Sequence, residues 1–276
     1  MKHDTFDKYP ADSLELPTKA LLTIWDCLPD FRAELVLVGG LAVRFLTKPP
    51  GAGEPGAVTL DVDFGVSLAA DGSAYPSIRE NLSGHGFDWV GNRFVRKFGQ
   101  MKLFVDLLTD DDKSVQGSVP MDDNLHISVF PGINRALAHY RPVDVTGQTL
   151  LGGEEQTQTI KVAEVGPLLV LKLNAFGGPQ GRKAPKDAHD VLYLAENYLG
   201  GTAAAVTDFH HERSVGNRGV NDALMCLNNL FSSPDAQGSV GCAAFRLNNQ
   251  HEEPDNLETS LQIRQRCVTL AQALLS

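Results

Sequence analysis

The stretch TLDVDFGV, residues 59–66, decides how the N-terminal half of this chain is interpreted. Successive side chains of a strand point to opposite faces, so Asp61 and Asp63 would share one face, about 6–7 Å apart. The apolar neighbours, such as Leu60 and Phe64, would fill a core on the other face. Two carboxylates so close repel each other, and burial raises the cost unless a cation or hydrogen bonds compensate. The pair therefore predicts a hard divalent cation, because Mg²⁺ prefers carboxylate oxygens.

A third acid lies in the stretch KLFVDLL, residues 102–108. This stretch is apolar on both faces, which predicts a buried central strand. Asp106 in its middle would cost several kcal/mol if it were left charged without a partner, and it is tolerable beside Asp61 and Asp63 around a metal. The alternatives are ordinary: many D-x-D pairs are solvated or pair with Lys or Arg, and an isolated Asp often marks a strand end.

Two glycines precede these acids in LVGGLAVRFL, residues 37–46. A strand over 34–38 is predicted to end in a Gly39-Gly40 turn that leads into a helix. Unpaired N–H groups and the dipole at such a helix N-terminus favour an anionic phosphate. A double glycine alone is more often a plain turn. The order of strand, glycine turn, helix, D-x-D strand and single-acid strand is more specific than any one of its parts.

The hydrophobic periodicity predicts an α/β (α+β) fold. A small mixed sheet with an N-terminal helix is expected over residues 1–165, followed by a mainly helical region over 166–276. The helices expected in the first part lie at 13–28, 41–46 and 76–83. The strands expected there lie at 34–38, 58–66, 87–90, 93–98 and 102–108, with weaker ones at 126–130, 141–146 and 158–162. The helices expected in the second part lie at 167–176, 186–199, 220–231 and 256–275.

Composition excludes several classes of protein. The 276 residues contain no apolar run long enough for a spanning helix and no secretory leader at the N-terminus, so no membrane partner is expected. Four widely spaced cysteines without a C-x-x-C pair argue for a reducing compartment, and the cytoplasm is the expected location. A formal charge of −10 disfavours broad nucleic-acid binding, although a local basic patch is compatible with it. We expect His210-His211 to lie in a polar loop and residues 110–112, three aspartates, to form a solvated loop.

The stretches at 37–46, 59–66 and 102–108 together resemble the polymerase-beta-like nucleotidyltransferase superfamily. The resemblance implies that Gly39 and Gly40 contact the phosphates of a nucleoside triphosphate (NTP). It also implies that Asp61 and Asp63 bind two Mg²⁺ or Mn²⁺ ions, and that Asp106 ligates the catalytic ion and helps to activate an acceptor hydroxyl. Many members have Gly-Ser where this chain has Gly-Gly, so a serine–phosphate contact is missing.

Residues 168–194, LLVLKLNAFGGPQGRKAPKDAHDVLYL, resemble a later motif of AbiEii-like toxins, the nucleotidyltransferases of type IV toxin–antitoxin pairs. The resemblance implies nucleotide binding by six residues: Lys172, Arg182, Lys183, Lys186, Asp187 and Asp190. The GGPQG insertion lengthens the family's usual spacing and leaves the match of Arg182 open. On a helix Lys186 would pair with Asp190 at i,i+4. The alternatives are helix capping by Asp187 and solvated surface charges at the four basic positions.

Together these features predict a metal-dependent enzyme that transfers a nucleoside monophosphate from an NTP to a hydroxyl and releases pyrophosphate. The toxin resemblance implies an RNA acceptor such as tRNA, or a protein acceptor, and a small antitoxin partner. Two competing functions stay open. One is a small-molecule enzyme of the aminoglycoside nucleotidyltransferase kind, and the other is a catalytically silent binding protein of the same fold.

Overall fold

A computed structural model describes residues 3–9, 14–51, 54–67, 76–99, 101–111, 117–122 and 125–276. The chain forms two compact units. The sheet unit comprises Asp12–Phe45 and Thr59–Glu164, and the helical unit comprises Met1–Ala11, Leu46–Val58 and Val165–Ser276.

The sheet unit is built on one mixed sheet, and its described residues form nine strands. These are β1 (Leu35–Val38), β2 (Asp61–Val66), β3 (Asp88–Val90), β4 (Arg93–Phe98), β5 (Met101–Thr109), β6 (Ser118–Asp122), β7 (Leu125–Val129), β8 (Tyr140–Thr149) and β9 (Gly152–Ala163). Seven of them follow the order β3-β4-β5-β2-β1-β9-β8, while β7 pairs with β5 and β6 pairs with β7. Strand β2 is antiparallel to β1 and parallel to β5, so both strands with the candidate acids lie inside the sheet. The predicted fold class is confirmed, and the sheet is larger than expected.

Four α-helices lie among the described residues of the sheet unit. They are α1 (Glu15–Cys27), α2 (Gly39–Leu46), α3 (Pro76–Gly84) and α4 (Ile133–Ala138). Trp25 on α1 stacks on Phe64 of β2, with ring centroids 6.2 Å apart, and Phe64 is fully buried. Because side chains alternate along a strand, burying Phe64 under α1 turns its neighbour Asp63 to the other face.

The helical unit contains the predicted helices and two more. They are α5 (Val165–Gly177), α6 (Pro185–Asn197), α7 (Thr202–Ser214), α8 (Val220–Leu230), α9 (Gln237–Arg246) and α10 (Leu257–Leu275). The expected polar loop at His210-His211 is wrong, because both residues lie on α7 and His210 Nε2 is 3.1 Å from the carbonyl oxygen of Ala273. Among the described residues, no helix is long and apolar enough to cross a membrane.

All four cysteines are buried free thiols. Burial raises the pKa of Cys27 to about 11 and that of Cys226 to about 12. Cys242 on α9 and Cys267 on α10 share a hydrogen bond, which lowers the pKa of Cys242 and raises that of Cys267. Distant positions in the sequence thus meet in the helical unit.

Candidate active site

The three candidate acids lie on two neighbouring parallel strands. Asp63 of β2 is in register with Asp106 of β5, and Asp61 is in register with Phe104. All three acids are half-buried, whereas residues that alternate with them along the strands, such as Val62 and Val105, are fully buried. The acids therefore share the more open face of the sheet, which we call the acid face. Strand β5 is central, as predicted, but only one of its faces is fully buried.

Gly39 lies directly beside the carboxylate of Asp63 on the acid face. Its φ of +75° lies in the left-handed region, and a Cβ built there would stand 1.9 Å from Oδ2 of Asp63. The antiparallel register of β1 and β2, which pairs Val38 with Asp63, causes this close approach. Helix α2 begins at Gly39 itself, without a separate Gly39-Gly40 turn. The close approach and the positive φ require glycine at this position, and a carboxylate beside a helix N-terminus is electrostatically favourable.

Asp61 has a buried oxygen that lacks a partner. Among the described residues, nothing forms a hydrogen bond with its Oδ1. The other oxygen, Oδ2, lies 3.9 Å from Nη2 of Arg93. A buried acceptor left unsatisfied costs about 1–3 kcal/mol, and more when it is charged. Such an oxygen is suited to a cation that is not part of the chain.

Arg93 at the start of β4 is a further member of the acid face. Its Nε donates to Asp106 Oδ1 at 2.8 Å and its Nη2 donates to Asp106 Oδ2 at 2.6 Å. The guanidinium also lies over the ring of Phe104, 4.2 Å from the ring centroid. A two-pronged pair of this kind is the strongest ordinary ion-pair geometry.

Arg93 is not among the residues predicted from the sequence, although a signal for it existed. Strands β4 and β5 form the predicted hairpin, and Phe94 pairs with Val105. Counting one residue outward from that pair brings Arg93 beside Asp106. Pairing of the two predicted strands, counted from their turn, would have found this contact.

The donor chemistry of the acid face fits a divalent cation, although the present geometry does not complete a site. Three carboxylates on one face, one with an orphaned buried oxygen, are the oxygen donors that Mg²⁺ and Mn²⁺ prefer. Within the part of the chain that the structure describes, no group of three or more His, Cys, Asp or Glu is arranged to hold a metal ion. Both oxygens of Asp106 are turned to Arg93.

The aspartates after β5 do not all form a solvated loop. Asp110 is buried, and its Oδ2 accepts the backbone N–H of Gly132 at 2.8 Å. This bond fixes the turn that leads into α4, which explains why the sequence expectation is wrong for Asp110. Asp111 is half-buried, and Asp112 lies outside the described residues.

The second motif forms a buried charge cluster in the helical unit. Nζ of Lys172 on α5 and Nζ of Lys186 on α6 each donate to Oδ2 of Asp190 at 2.7 Å. The Lys186 pair is the predicted i,i+4 contact, which is confirmed, while the Lys172 pair was not foreseen. At most 6% of any of these three side chains is exposed, so the alternative of solvated surface charges is wrong for both lysines.

The remaining residues of the motif differ in exposure. Arg182 and Lys183 are exposed, and Nη2 of Arg182 lies 3.4 Å from Oδ2 of Asp187, which is fully buried. His189 of α6, for which the sequence predicted no role, bonds with two other parts of the helical unit. Its Nδ1 accepts Arg246 Nε at 3.1 Å and its Nε2 lies 3.1 Å from the carbonyl oxygen of Gly56. Since Nδ1 accepts, Nε2 holds the ring proton and donates it.

Comparison with known proteins gives similarity of overall structure at a low level. No protein-family model matches the sequence, and no curated protein sequence matches it. The crystal structure of JHP933 from Helicobacter pylori matches with a TM-score of 0.41 and 14% identity, over 97% of this chain and 94% of that one. A second H. pylori structure, provisionally named a nucleotidyltransferase, matches with a TM-score of 0.36 and 15% identity, over 96% of each chain. At these scores neither likeness supports an argument about function.

Proposed function

We propose that this chain is a metal-dependent nucleotidyltransferase that moves a nucleoside monophosphate from an NTP to an acceptor hydroxyl. One observation supports it above the others: Asp63 and Asp106 are in register on parallel strands, with Asp61 on the same face. Asp63 also lies against Gly39, the first residue of α2. The resemblance to the polymerase-beta-like superfamily implies the same grouping of three acids beside a glycine at a helix N-terminus.

Each residue of the acid face has a role in this proposal. Asp61, Asp63 and Asp106 would hold Mg²⁺ or Mn²⁺, which when bound supplies positive charge to the triphosphate oxygens. The backbone N–H groups of Gly39 and Gly40, at the positive end of α2, would receive a phosphate.

The transfer itself exchanges one bond to phosphorus for another. The acceptor oxygen forms a bond to the α-phosphorus, the bond from that phosphorus to the β-bridging oxygen breaks, and pyrophosphate leaves with the bonding electrons. Asp106 takes the proton of the acceptor hydroxyl, which makes that oxygen a better nucleophile. In-line attack of this kind depends mainly on positioning and on charge stabilisation.

Nucleotide binding by Lys172 and Lys186 is proposed from the toxin resemblance. Lys172 and Lys186 share Oδ2 of Asp190, and both lysines are buried in the helical unit. We expect Lys172→Ala and Lys186→Ala each to lower kcat by about ten- to a thousandfold, the scale seen on deleting one electrostatic donor. Exposed Arg182 and Lys183 would act on acceptor binding, with a marked dependence on salt if the acceptor is RNA.

The acceptor class and the biological setting are proposed from the toxin resemblance. An RNA such as tRNA, or a protein, is the expected acceptor, and a small antitoxin is the expected protein partner. An aminoglycoside acceptor is the alternative within the same chemistry, and the net charge of −10 is compatible with a polycation.

The test is transfer of label from each of the four α-labelled NTPs, with Mg²⁺ or Mn²⁺, to tRNA, protein or aminoglycoside. We expect labelled acceptor from the unaltered chain and none from Asp61→Asn, Asp63→Asn or Asp106→Asn. Asp88→Asn is the matched control, because Asp88 is an exposed acid on β3 of the same sheet. Retained transfer in two of the three acid variants would contradict the proposal.

A catalytically silent protein is the second candidate, and the Arg93–Asp106 pair favours it. A carboxylate satisfied by a guanidinium has less need of a metal. A silent protein would transfer no label with any NTP, and one that also binds no NTP would show the same melting temperature with and without NTP and Mg²⁺. A ligand at a hundred times its Kd should otherwise add about 2.7 kcal/mol to stability.

A further inference from the structure

We propose that Arg93 is a built-in competitor of the divalent cation: it holds Asp106 in the metal-free protein and must release it before the metal binds. The inference rests on the proposed function, since it concerns the regulation of the same acid face. It goes beyond that function because neither the motifs nor the resemblance assigns any role to residue 93.

The contacts of Arg93 place a positive charge between two of the acids. Its guanidinium makes two hydrogen bonds with Asp106, at 2.8 and 2.6 Å, and lies 3.9 Å from Oδ2 of Asp61. Stacking on Phe104, at 4.2 Å, keeps the guanidinium plane at that point. Arg93 thus takes up both oxygens of one proposed ligand and faces an oxygen of another.

A metal ion and this guanidinium cannot hold Asp106 in the same way at the same time. The fork of Arg93 uses Oδ1 and Oδ2 of Asp106, and a divalent ion needs at least one of them. Two cations on one carboxylate also repel each other. About 29% of the Arg93 side chain is exposed, so the guanidinium has a path into solvent when it is displaced.

A purely positioning role predicts the opposite sign. If Arg93 instead kept Asp106 oriented while the metal was bound, its loss would weaken metal binding. If Arg93 competes, its loss strengthens metal binding. The sign of the change in affinity therefore separates the two roles without any measurement of catalysis.

The experiment measures Mn²⁺ binding to the full chain by electron paramagnetic resonance, without nucleotide. Arg93→Met keeps an unbranched apolar stem over Phe104 and removes the charge. We expect it to bind Mn²⁺ about tenfold more tightly, which corresponds to the loss of one charge-assisted hydrogen bond. Arg93→Lys keeps the charge but loses the fork, so its Kd should fall between those of the other two. If Arg93→Met fails to fold, a Kd for Arg93→Lys below that of the unaltered chain supports the proposal.

Lys97→Met is the matched control. Lys97 is exposed on β4, the strand of Arg93, and pairs with Lys102 of β5, four residues before Asp106. Its loss changes the net charge equally, and we expect the Kd for Mn²⁺ to stay within about twofold of the original, because an exposed distant charge is largely screened.

Several results would overturn the inference: equal or weaker Mn²⁺ binding in Arg93→Met, an equal gain in Lys97→Met, or no binding by any variant at millimolar Mn²⁺. The proposed function can fail separately. If Arg93→Met gains affinity while no NTP is ever transferred, the competitor role stands and the enzyme does not. If transfer occurs and Arg93→Met leaves the Kd unchanged, the competitor role alone is lost.

Discussion

Gly39→Ala tests whether the carboxylate of Asp63 really lies against the start of α2. The change places a methyl group 1.9 Å from Asp63 Oδ2 at a residue whose φ is +75°. Gly91→Ala is the matched control, since Gly91 has a φ of +70° and no described atom lies within 4 Å of its added Cβ. The two variants share the backbone cost and differ in the overlap.

The expected magnitudes follow from these two terms. A left-handed non-glycine residue costs about 1–2 kcal/mol, and the reduced freedom of the unfolded chain returns about 0.4–1 kcal/mol. Gly91→Ala should therefore cost about 1 kcal/mol. Gly39→Ala adds an overlap that the carboxylate or the backbone must relieve, at about 1–3 kcal/mol for overpacking. We expect the free energy of unfolding to fall by about 2–4 kcal/mol in Gly39→Ala.

Urea denaturation and thermal melting both measure the difference. One kcal/mol corresponds to about 2–4 °C for chains somewhat shorter than this one, so Gly39→Ala should melt several degrees below Gly91→Ala. In an Asp63→Ala background part of the extra cost should vanish, because the overlaps with Asp63 Oδ2 and Cγ, at 1.9 and 2.7 Å, are removed while that with Asp63 Cβ, at 2.8 Å, stays. Equal stability of the two glycine variants would refute the placement of Asp63.

Three further perturbations test other parts of the structure. Asp106→Asn should lower the stability of the metal-free protein by about 1 kcal/mol, because the partly exposed Arg93 loses its charged partner. Asp61→Asn should leave the stability equal or higher, because it relieves repulsion between carboxylates. Thermal melting in EDTA compares the two variants, and equal losses would contradict the assigned contacts. Asp190→Asn should lower the free energy of unfolding by about 3–5 kcal/mol, because two buried ammonium groups lose their carboxylate. Lys172→Met should lower it less, because the Lys186–Asp190 pair persists. The reverse order in urea denaturation would contradict the shared carboxylate. Burial raises the pKa of Cys27 from 9.0 to about 11, so between these values the folded thiol stays neutral while the unfolded thiol ionises. The neutral thiol's contribution to stability is therefore present below pH 9.0 and is lost as the pH rises toward 11. Cys27→Ala should flatten that part of the curve of stability against pH, and an unchanged slope would count against a neutral buried thiol.

Most strands of the sheet unit could be predicted from the sequence, whereas β6 (Ser118–Asp122) was not. Strand β2 was found because acids and apolar residues alternate through Asp61–Val66, and β4 and β5 were found from the turn between them. The short helix α4 was missed because six residues, INRALA, are too few for a periodic signal. Alternation thus identifies strands well where one face is buried, and it says little about short helices.

Two helices of the helical unit gave no clear signal. Helix α7 has only three buried residues, Ala205, Phe209 and Glu212, so its apolar stripe is too thin to recognise. Helix α9 begins with QGSVG, and glycine lowers helix propensity by about 1 kcal/mol relative to alanine. In α9 the small residues serve packing: a Cβ at Gly238 would stand 2.5 Å from the ring of Phe231. Tertiary contacts override local propensity at this helix.

The site divides in the same way between local and non-local information. That Asp61 and Asp63 share a face follows from a period of two within one strand. The proximity of Asp63 and Asp106 depends on the parallel pairing of β2 and β5, which no local sequence pattern specifies. The Lys172–Asp190 contact joins two helices and could be seen only after they were packed together.

Charge on the acid face connects the predicted acids with the unpredicted arginine. Asp61, Asp63 and Asp106 set against Arg93 leave two negative charges among these four side chains. Exchange of the guanidinium for one divalent ion would leave one negative charge, so the exchange reduces the repulsion among the acids. Under the proposed competition, a divalent cation takes the place of Arg93 on Asp106. If the acid face binds metal as proposed, this change in charge would favour the release of Arg93 from Asp106.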